Sequence, residues 1–82
     1  MNKMEILQGI IEENIEWFWG NDSLVSYEND ATKLWNGFKV WCIQNCLEVL
    51  DGLEVSVVDK AVERNYSNWL DRRDTLYINM ED

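Results

Sequence analysis

The chain contains no histidine, no proline and only two cysteines among its 82 residues. The absence of histidine removes the commonest general base and metal ligand. The absence of proline leaves long helices unobstructed. Two cysteines are too few for the disulfide framework of a small secreted domain, and no signal-peptide pattern is visible, so we expect a cytoplasmic location.

Basic residues are also scarce, with 7 Lys and Arg against 16 Asp and Glu, which gives a net charge of −9. Direct binding to nucleic acid requires clustered basic residues that neutralise phosphates. Docking on an anionic membrane surface has the same requirement. No run approaches the ~20 apolar residues that span a bilayer. We therefore expect neither a nucleic-acid ligand nor a membrane association.

Length and hydrophobic patterning favour one small all-α domain covering residues 1–82. Hydrophobic residues make up 46% of the chain, which is enough for a packed core. Apolar residues recur at helical spacing in three segments, and turn residues such as Gly20 and Gly52 separate them. The predicted helices cover about 3–19, 31–50 and 56–75.

The second of these segments is apolar around most of its circumference. It follows Asn29 and Asp30, either of which suits an N-cap, and it contains no acidic residue from Ala31 to Leu47. A helix that is apolar on most sides is covered by its neighbours or lies in an interface. The pattern predicts a compact three-helix bundle in which this central helix is largely buried.

An alternative α+β fold remains open at this point. Residues 24–27, 53–58 and 75–78 each combine β-branched, aromatic or other apolar residues typical of short strands. A small sheet built from them would shorten the third helix.

Candidates for catalysis or metal binding are weak. Cys42 and Cys46 lie four residues apart on one helix face, but zinc takes four ligands and the chain has no histidine and no other cysteine. We interpret them as two small buried hydrophobic residues. The glycines form no phosphate-binding loop, and the serines have no histidine to activate them. We expect no catalytic residue, no metal and no cofactor, and therefore a protein that is not an enzyme.

The five tryptophans are a more informative feature. Trp35, Trp41 and Trp69 have the spacing of core residues. Trp17 and Trp19 are two residues apart on one helix, so they cannot point in the same direction. At least one of them is expected at the rim or in solvent, where tryptophan is typical of binding hot spots, unless residues 20–30 fold over it.

The acidic residues of the first helix form a stripe. Glu5, Glu12, Glu13 and Glu16 lie on one side, with spacings near those of backbone phosphates. Such a stripe can imitate nucleic acid and occupy a basic groove on another protein, and its charge would accelerate association. Acidic surfaces also serve solubility alone, which is the simpler interpretation of any single stripe.

These features favour a small acidic inhibitor that binds a larger, basic, nucleic-acid-handling protein. The predicted contact residues are Glu5, Glu12, Glu13 and Glu16, with Trp17 or Trp19 as an apolar anchor. Phage anti-defence proteins, including anti-CRISPR factors, and toxin immunity proteins are typically small, acidic and helical. The chain carries no family motif, so it shares with these proteins only small size, acidic charge and helical character. The alternative is a helical interaction module that self-associates as a homodimer through its excess apolar surface.

Overall fold

The computed structural model describes residues 2–20 and 30–81, and these ranges form four α-helices. We number them α1 (Lys3–Trp19), α2 (Ala31–Val49), α3 (Val55–Arg64) and α4 (Tyr66–Glu81). Within the described ranges the predicted all-α class is confirmed, and no strand is present.

The alternative α+β fold is wrong wherever it can be compared with the structure. Residues 53–58 include the start of α3, where the amides of Val57 and Val58 donate to the carbonyl of Glu54 at 3.1 and 3.2 Å. Residues 75–78 lie inside α4. The proposed strand at 24–27 lies outside the described residues. Apolar β-branched residues near a helix start therefore gave a misleading strand signal.

Side-chain caps explain where the first two helices begin. Asn2 Oδ1 accepts a hydrogen bond from the Glu5 amide at 2.8 Å, and Asp30 Oδ1 accepts one from the Thr32 amide at 2.9 Å. Each cap satisfies an amide that has no partner inside its helix. Both helices begin where the sequence predicted, and α1 ends before Gly20, as expected.

The predicted third helix is in fact two helices, because the chain bends at Asn65. The Asn65 amide donates to the Val62 carbonyl at 3.0 Å, which is the tighter i to i−3 pattern. Its side-chain amide donates to the Ala61 carbonyl at 2.8 Å, in place of the backbone donor of a continuous helix. The described ranges therefore contain four helices instead of the predicted three.

The core is formed mainly by one face of α1 packed against the other three helices. α1 contacts each of α2, α3 and α4, and α2 packs most extensively on α3. The buried hydrophobic residues are Leu7, Ile11, Ile15, Phe18, Trp19, Leu34, Phe38, Cys42, Cys46, Val58, Ala61, Val62 and Trp69.

The prediction that α2 is largely buried is wrong. Its buried residues form one stripe, Leu34, Phe38, Cys42 and Cys46. Val40 on the opposite side is 58% exposed. The other helices cover a single face of α2, so part of its apolar surface remains in contact with solvent.

Trp69 is the centre of an aromatic cluster. Its ring lies 4.6 Å from that of Trp19 and 5.3 Å from that of Trp35, measured between centroids. The Trp19 indole N–H also donates to the Trp69 carbonyl at 2.8 Å. These contacts join α1, α2 and α4 in one packed unit.

One set of hydrogen bonds holds the bend between α3 and α4, and one set of ion pairs joins α2 to α3. Gln8 and Asn65 exchange side-chain amide hydrogen bonds at 2.8 and 3.0 Å, which ties α1 to the bend. Lys39 Nζ lies 2.6 Å from Glu63 and 3.3 Å from Asp59.

The hydrogen bond to Glu63, aided by Asp59, raises the pKa of Lys39 above its ordinary value of 10.5. A raised pKa in the folded state stabilises the fold below the unfolded value of 10.5, and this contribution is lost as the pH rises through the higher folded value. The ion pairs of Lys39 are therefore intact at neutral pH.

Two helix-interior glycines give a direct stability prediction. A Cβ atom added at Gly9 or Gly37 would have no heavy atom within 4 Å. Glycine costs about 0.8–1.0 kcal/mol relative to alanine in a helix interior. We expect Gly9→Ala and Gly37→Ala each to raise the free energy of unfolding by about that amount and Tm by about 4–8 °C, measured by circular dichroism.

Gly52 is the control for this prediction, because it has φ +87° in the turn between α2 and α3. Left-handed backbone costs a residue with a Cβ atom about 1–2 kcal/mol, so Gly52→Ala is expected to lower Tm. A loss of stability in both helix variants would show that Gly9 and Gly37 are required for packing inside the chain.

Candidate functional site

An acidic groove lies between α1 and α4. Its volume is about 530 Å³, and three of the predicted glutamates line it. The complete lining is Gly9, Glu12, Glu13, Ile15, Glu16, Asn68 and Arg72. The helical spacing of α1 brings these carboxylates to one side, while α4 supplies the facing wall.

The glutamates of the acidic groove are exposed and only lightly engaged within the chain. Glu12 Oε1 accepts a hydrogen bond from the Gln8 side-chain amide at 3.1 Å. Glu16 Oε1 lies 3.6 Å from the Arg72 guanidinium, and both side chains of this ion pair are exposed to solvent. Exposed pairs of this kind contribute about 0–1 kcal/mol. Their carboxylates therefore remain available to basic groups of another molecule.

Glu5 stands apart from the other three glutamates. It is exposed in the first turn of α1, and it is not among the residues that line the acidic groove. At 1.5 Å rise per residue, it lies roughly 10 Å along the helix axis from Glu12. The predicted stripe is thus a cluster of three carboxylates with a fourth one farther along the same helix.

The structure distinguishes the two tryptophans that the sequence left equivalent. Trp17 is 54% exposed, whereas Trp19 is 4% exposed and packs in the core. One of the pair is exposed, as predicted from their spacing. Trp19 is held by its hydrogen bond to the Trp69 carbonyl, so Trp17 is the residue that a partner can reach.

Trp17 rests against α2 and lines a second groove. Its ring stacks on that of Trp41, with centroids 5.1 Å apart and an interplanar angle of 30°. This apolar groove has a volume of about 400 Å³ and is lined by Trp17, Phe18, Lys33, Leu34, Gly37 and Trp41. Trp17 therefore stands at the edge of the apolar groove, one residue beyond Glu16 of the acidic groove.

The two cysteines lie inside the core and have no free access to solvent. Cys42 and Cys46 are both 0% exposed, and their thiols are unoxidised. Asn14 Nδ2 lies 3.4 Å from Cys42 Sγ, and Asn14 Oδ1 accepts from Asn45 at 2.9 Å. The Cys46 thiol forms a side-chain hydrogen bond with Cys42. This bond, together with burial, raises the pKa of the Cys46 thiol.

This environment predicts protected thiols. In the native protein at neutral pH, we expect Ellman's reagent to react with neither cysteine faster than the protein unfolds, because the reagent requires an accessible thiolate. In concentrated guanidinium chloride both cysteines should react promptly. Rapid modification of the native chain would contradict their placement in the core.

Neither a metal centre nor a membrane span is evident in the parts of the chain that the structure describes. No group of three or more Cys, Asp or Glu side chains there converges closely enough to hold a metal ion. None of the described helices combines the length and hydropathy needed to cross a bilayer.

Comparison of the chain with protein-family models, with characterised proteins and with solved structures finds no match. The function is therefore inferred from side-chain geometry and charge.

Sequence reasoning found the glutamates but missed the wall opposite them. Asn68 and Arg72 face the acidic groove because the bend at Asn65 redirects α4. The available signal was a run of weak helix formers, Asn65, Ser67 and Asn68, which favours a helix end. With one continuous third helix, this groove could not be anticipated.

Proposed function

We propose that this protein is a small acidic, non-enzymatic inhibitor that binds a larger basic, nucleic-acid-handling protein and blocks its binding groove. One observation carries the proposal: Glu12, Glu13 and Glu16 are exposed around a single groove, and the exposed Trp17 follows directly in the same helix. The pairing of a charged cluster with an accessible indole suits protein binding better than solubility alone.

The charge density of α1 resembles that of a nucleic-acid strand. Glu5 and Glu16 are separated by eleven residues, which is about 16 Å along the helix axis. Four carboxylates over this length give roughly one negative charge per 5 Å, compared with one per 3.4 Å along a DNA strand. A groove built to bind phosphates therefore offers complementary charges to α1.

The two kinds of residue have different tasks in this mechanism. The carboxylates attract and orient the basic partner, which raises the association rate by roughly 10- to 10³-fold at low salt. Trp17 supplies apolar contact area that slows dissociation once the surfaces meet. Arg72 pairs weakly with Glu16 in the free protein and yields to stronger basic groups of the partner.

Anti-defence factors and toxin immunity proteins both fit this physical description. An anti-defence factor would occupy the nucleic-acid groove of a host complex, and an immunity protein would occupy the active site of a nuclease toxin. The partner's identity separates the two classes. Either one places the protein in the cytoplasm with its target.

The test begins with capture of the partner on immobilised protein from a nuclease-treated lysate of the source cells. We expect a basic protein that is retained at about 50 mM salt and released at about 200 mM, the range over which phosphate-type contacts weaken most. Purified partner is then mixed with a fluorescent duplex. Saturating inhibitor should displace the duplex, and a partner that binds the duplex equally well in its presence would refute the proposal.

Self-association is a second candidate, favoured by exposed apolar side chains at one end of the bundle. Val49 and Val55 flank the turn between α2 and α3, and they are 58% and 60% exposed. Lys3 Nζ contacts the Asp51 carbonyl at 3.4 Å, which brings the neighbouring exposed Met4 to the same end. Light scattering coupled to size exclusion decides the question: a mass of 9.8 kDa excludes a stable homodimer, and twice that mass supports it.

A further inference from the structure

The apolar groove differs in character from the acidic groove. Phe18 and Leu34 are buried and form its floor, while the stacked rings of Trp17 and Trp41 form one wall. Its volume of about 400 Å³ falls within the 300–1,000 Å³ typical of small-molecule sites. The site is concave, and it presents an exposed indole surface to whatever enters.

The charge around the apolar groove is opposite to that of the chain. Among the residues that the structure describes, its lining contains one cation, Lys33, and no acidic residue, although the chain carries 16 acids and 7 bases. The local sequence agrees, because residues 31–47 contain lysines at 33 and 39 and no acid. Charge complementarity therefore favours an occupant that combines an apolar body with an anionic group.

Gly37 keeps the apolar groove open on its α2 side. It lies in the interior of α2, where glycine destabilises the helix, and a Cβ atom there would meet no heavy atom within 4 Å. Packing inside the chain thus does not require glycine at this position. Because Gly37 lines the apolar groove, any larger side chain would project into the space that a ligand needs.

We propose that the apolar groove is a binding site for a small aromatic compound that carries an anionic group. The ring packs over Gly37 against Trp17, and the anion pairs with the Lys33 ammonium. Aromatic stacking and a charge-assisted contact are the two attractions that this lining provides. The site is separate from the acidic groove and does not depend on the inhibitor function.

The probes are 2-naphthoate and its neutral counterpart 2-naphthamide, which share one ring system and differ in charge. Binding is followed by ¹H–¹⁵N NMR of the indole N–H signals. We expect naphthoate to shift the signals of Trp17 and Trp41 saturably, while the signal of buried Trp69 stays in place. We expect naphthoate to bind about two- to fivefold more tightly than naphthamide, the upper range for an ion pair at an exposed lysine.

Matched variants assign the two contacts. Lys33→Gln should remove the difference between the two probes, whereas Lys60→Gln, which changes an exposed lysine on α3, should preserve it. Gly37→Leu should abolish the shifts, and Gly9→Leu, a similar change in the acidic groove, should leave them intact. The fold of each variant is confirmed from its backbone spectrum.

Three results would overturn the proposal. The first is saturable binding that Gly37→Leu leaves unchanged. The second is equal affinity for the charged and neutral probes. The third is a shift of the Trp17 signal on dilution without any probe, which would show that a second copy of the chain covers the groove. The first two results do not bear on the inhibitor function, which is tested separately. The third would mean that a second copy also covers Trp17, the apolar anchor of the inhibitor, and would support self-association.

Discussion

Replacing Trp69 with alanine is expected to remove a large fraction of the protein's free energy of unfolding. Truncation of a buried tryptophan costs about 3–5 kcal/mol, because the apolar contact is lost and a cavity remains. A domain of 82 residues is typically stable by about 4–12 kcal/mol. Trp69 is 0% exposed and contacts aromatic rings from α1 and α2, so its loss separates the elements that form the core. Urea denaturation followed by circular dichroism measures the effect.

Two further tryptophan variants make this result specific. Trp69→Phe should cost less than Trp69→Ala, because it keeps a ring and also removes a buried indole N–H that has no hydrogen-bond partner among the described residues. Trp17→Ala should cost about 1–2 kcal/mol, because that side chain is 54% exposed. Similar losses in Trp17→Ala and Trp69→Ala would contradict the placement of Trp69 at the centre of the core.

Neutralising the acidic face of α1 is expected to slow association with the basic partner at least tenfold at about 50 mM salt. The variant carries glutamine at positions 5, 12, 13 and 16, which changes the net charge from −9 to −5. Steering depends on charges that face the partner, and salt screens it with a Debye length of about 10 Å at 0.1 M. The difference from the unmodified protein should therefore shrink as salt is added, measured by stopped-flow mixing with the captured partner.

The matched control neutralises four acids located elsewhere. Glu48, Asp51, Glu54 and Asp74 are exposed outside α1, and their amide variants give the same net charge of −5. We expect this control to retain most of the association rate and the inhibition. Equal slowing in both variants would show that net charge alone matters. Unchanged inhibition by the α1 variant would show that the carboxylates of α1 do not bind the partner.

The first two helices were predictable because their signals are local. Asp30 is a strong capping residue, Gly20 suits a helix end, and the apolar spacing within both segments is helical. The bend at Asn65 was not predicted, although weak helix formers follow it. Such residues are tolerated inside many helices, and Asn65 also exchanges hydrogen bonds with Gln8, which is 57 positions away in the chain.

Local spacing also predicted part of the placement of Trp17 and Trp19, and contacts distant in sequence decided the rest. A spacing of two residues required Trp17 and Trp19 to point in different directions. Which of them enters the core depends on the carbonyl of Trp69, which accepts the indole hydrogen bond of Trp19 from 50 positions away. The prediction that α2 is buried on most sides failed for a related reason. Composition measures how apolar a helix is, and only the packing of its neighbours determines how much of it they cover.

The sequence by itself indicated the helical segments, the acidic character of α1 and the scarcity of groups suited to catalysis. These properties depend on residue type and on spacings of a few positions, which the helix geometry converts directly into faces. Only the tertiary structure decided that Asn68 and Arg72 face the glutamates, and that Gly37 and Lys33 lie beside Trp17. Each groove forms between two helices, α1 with α4 and α1 with α2, so its shape and charge arise from packing and cannot be derived from any one segment.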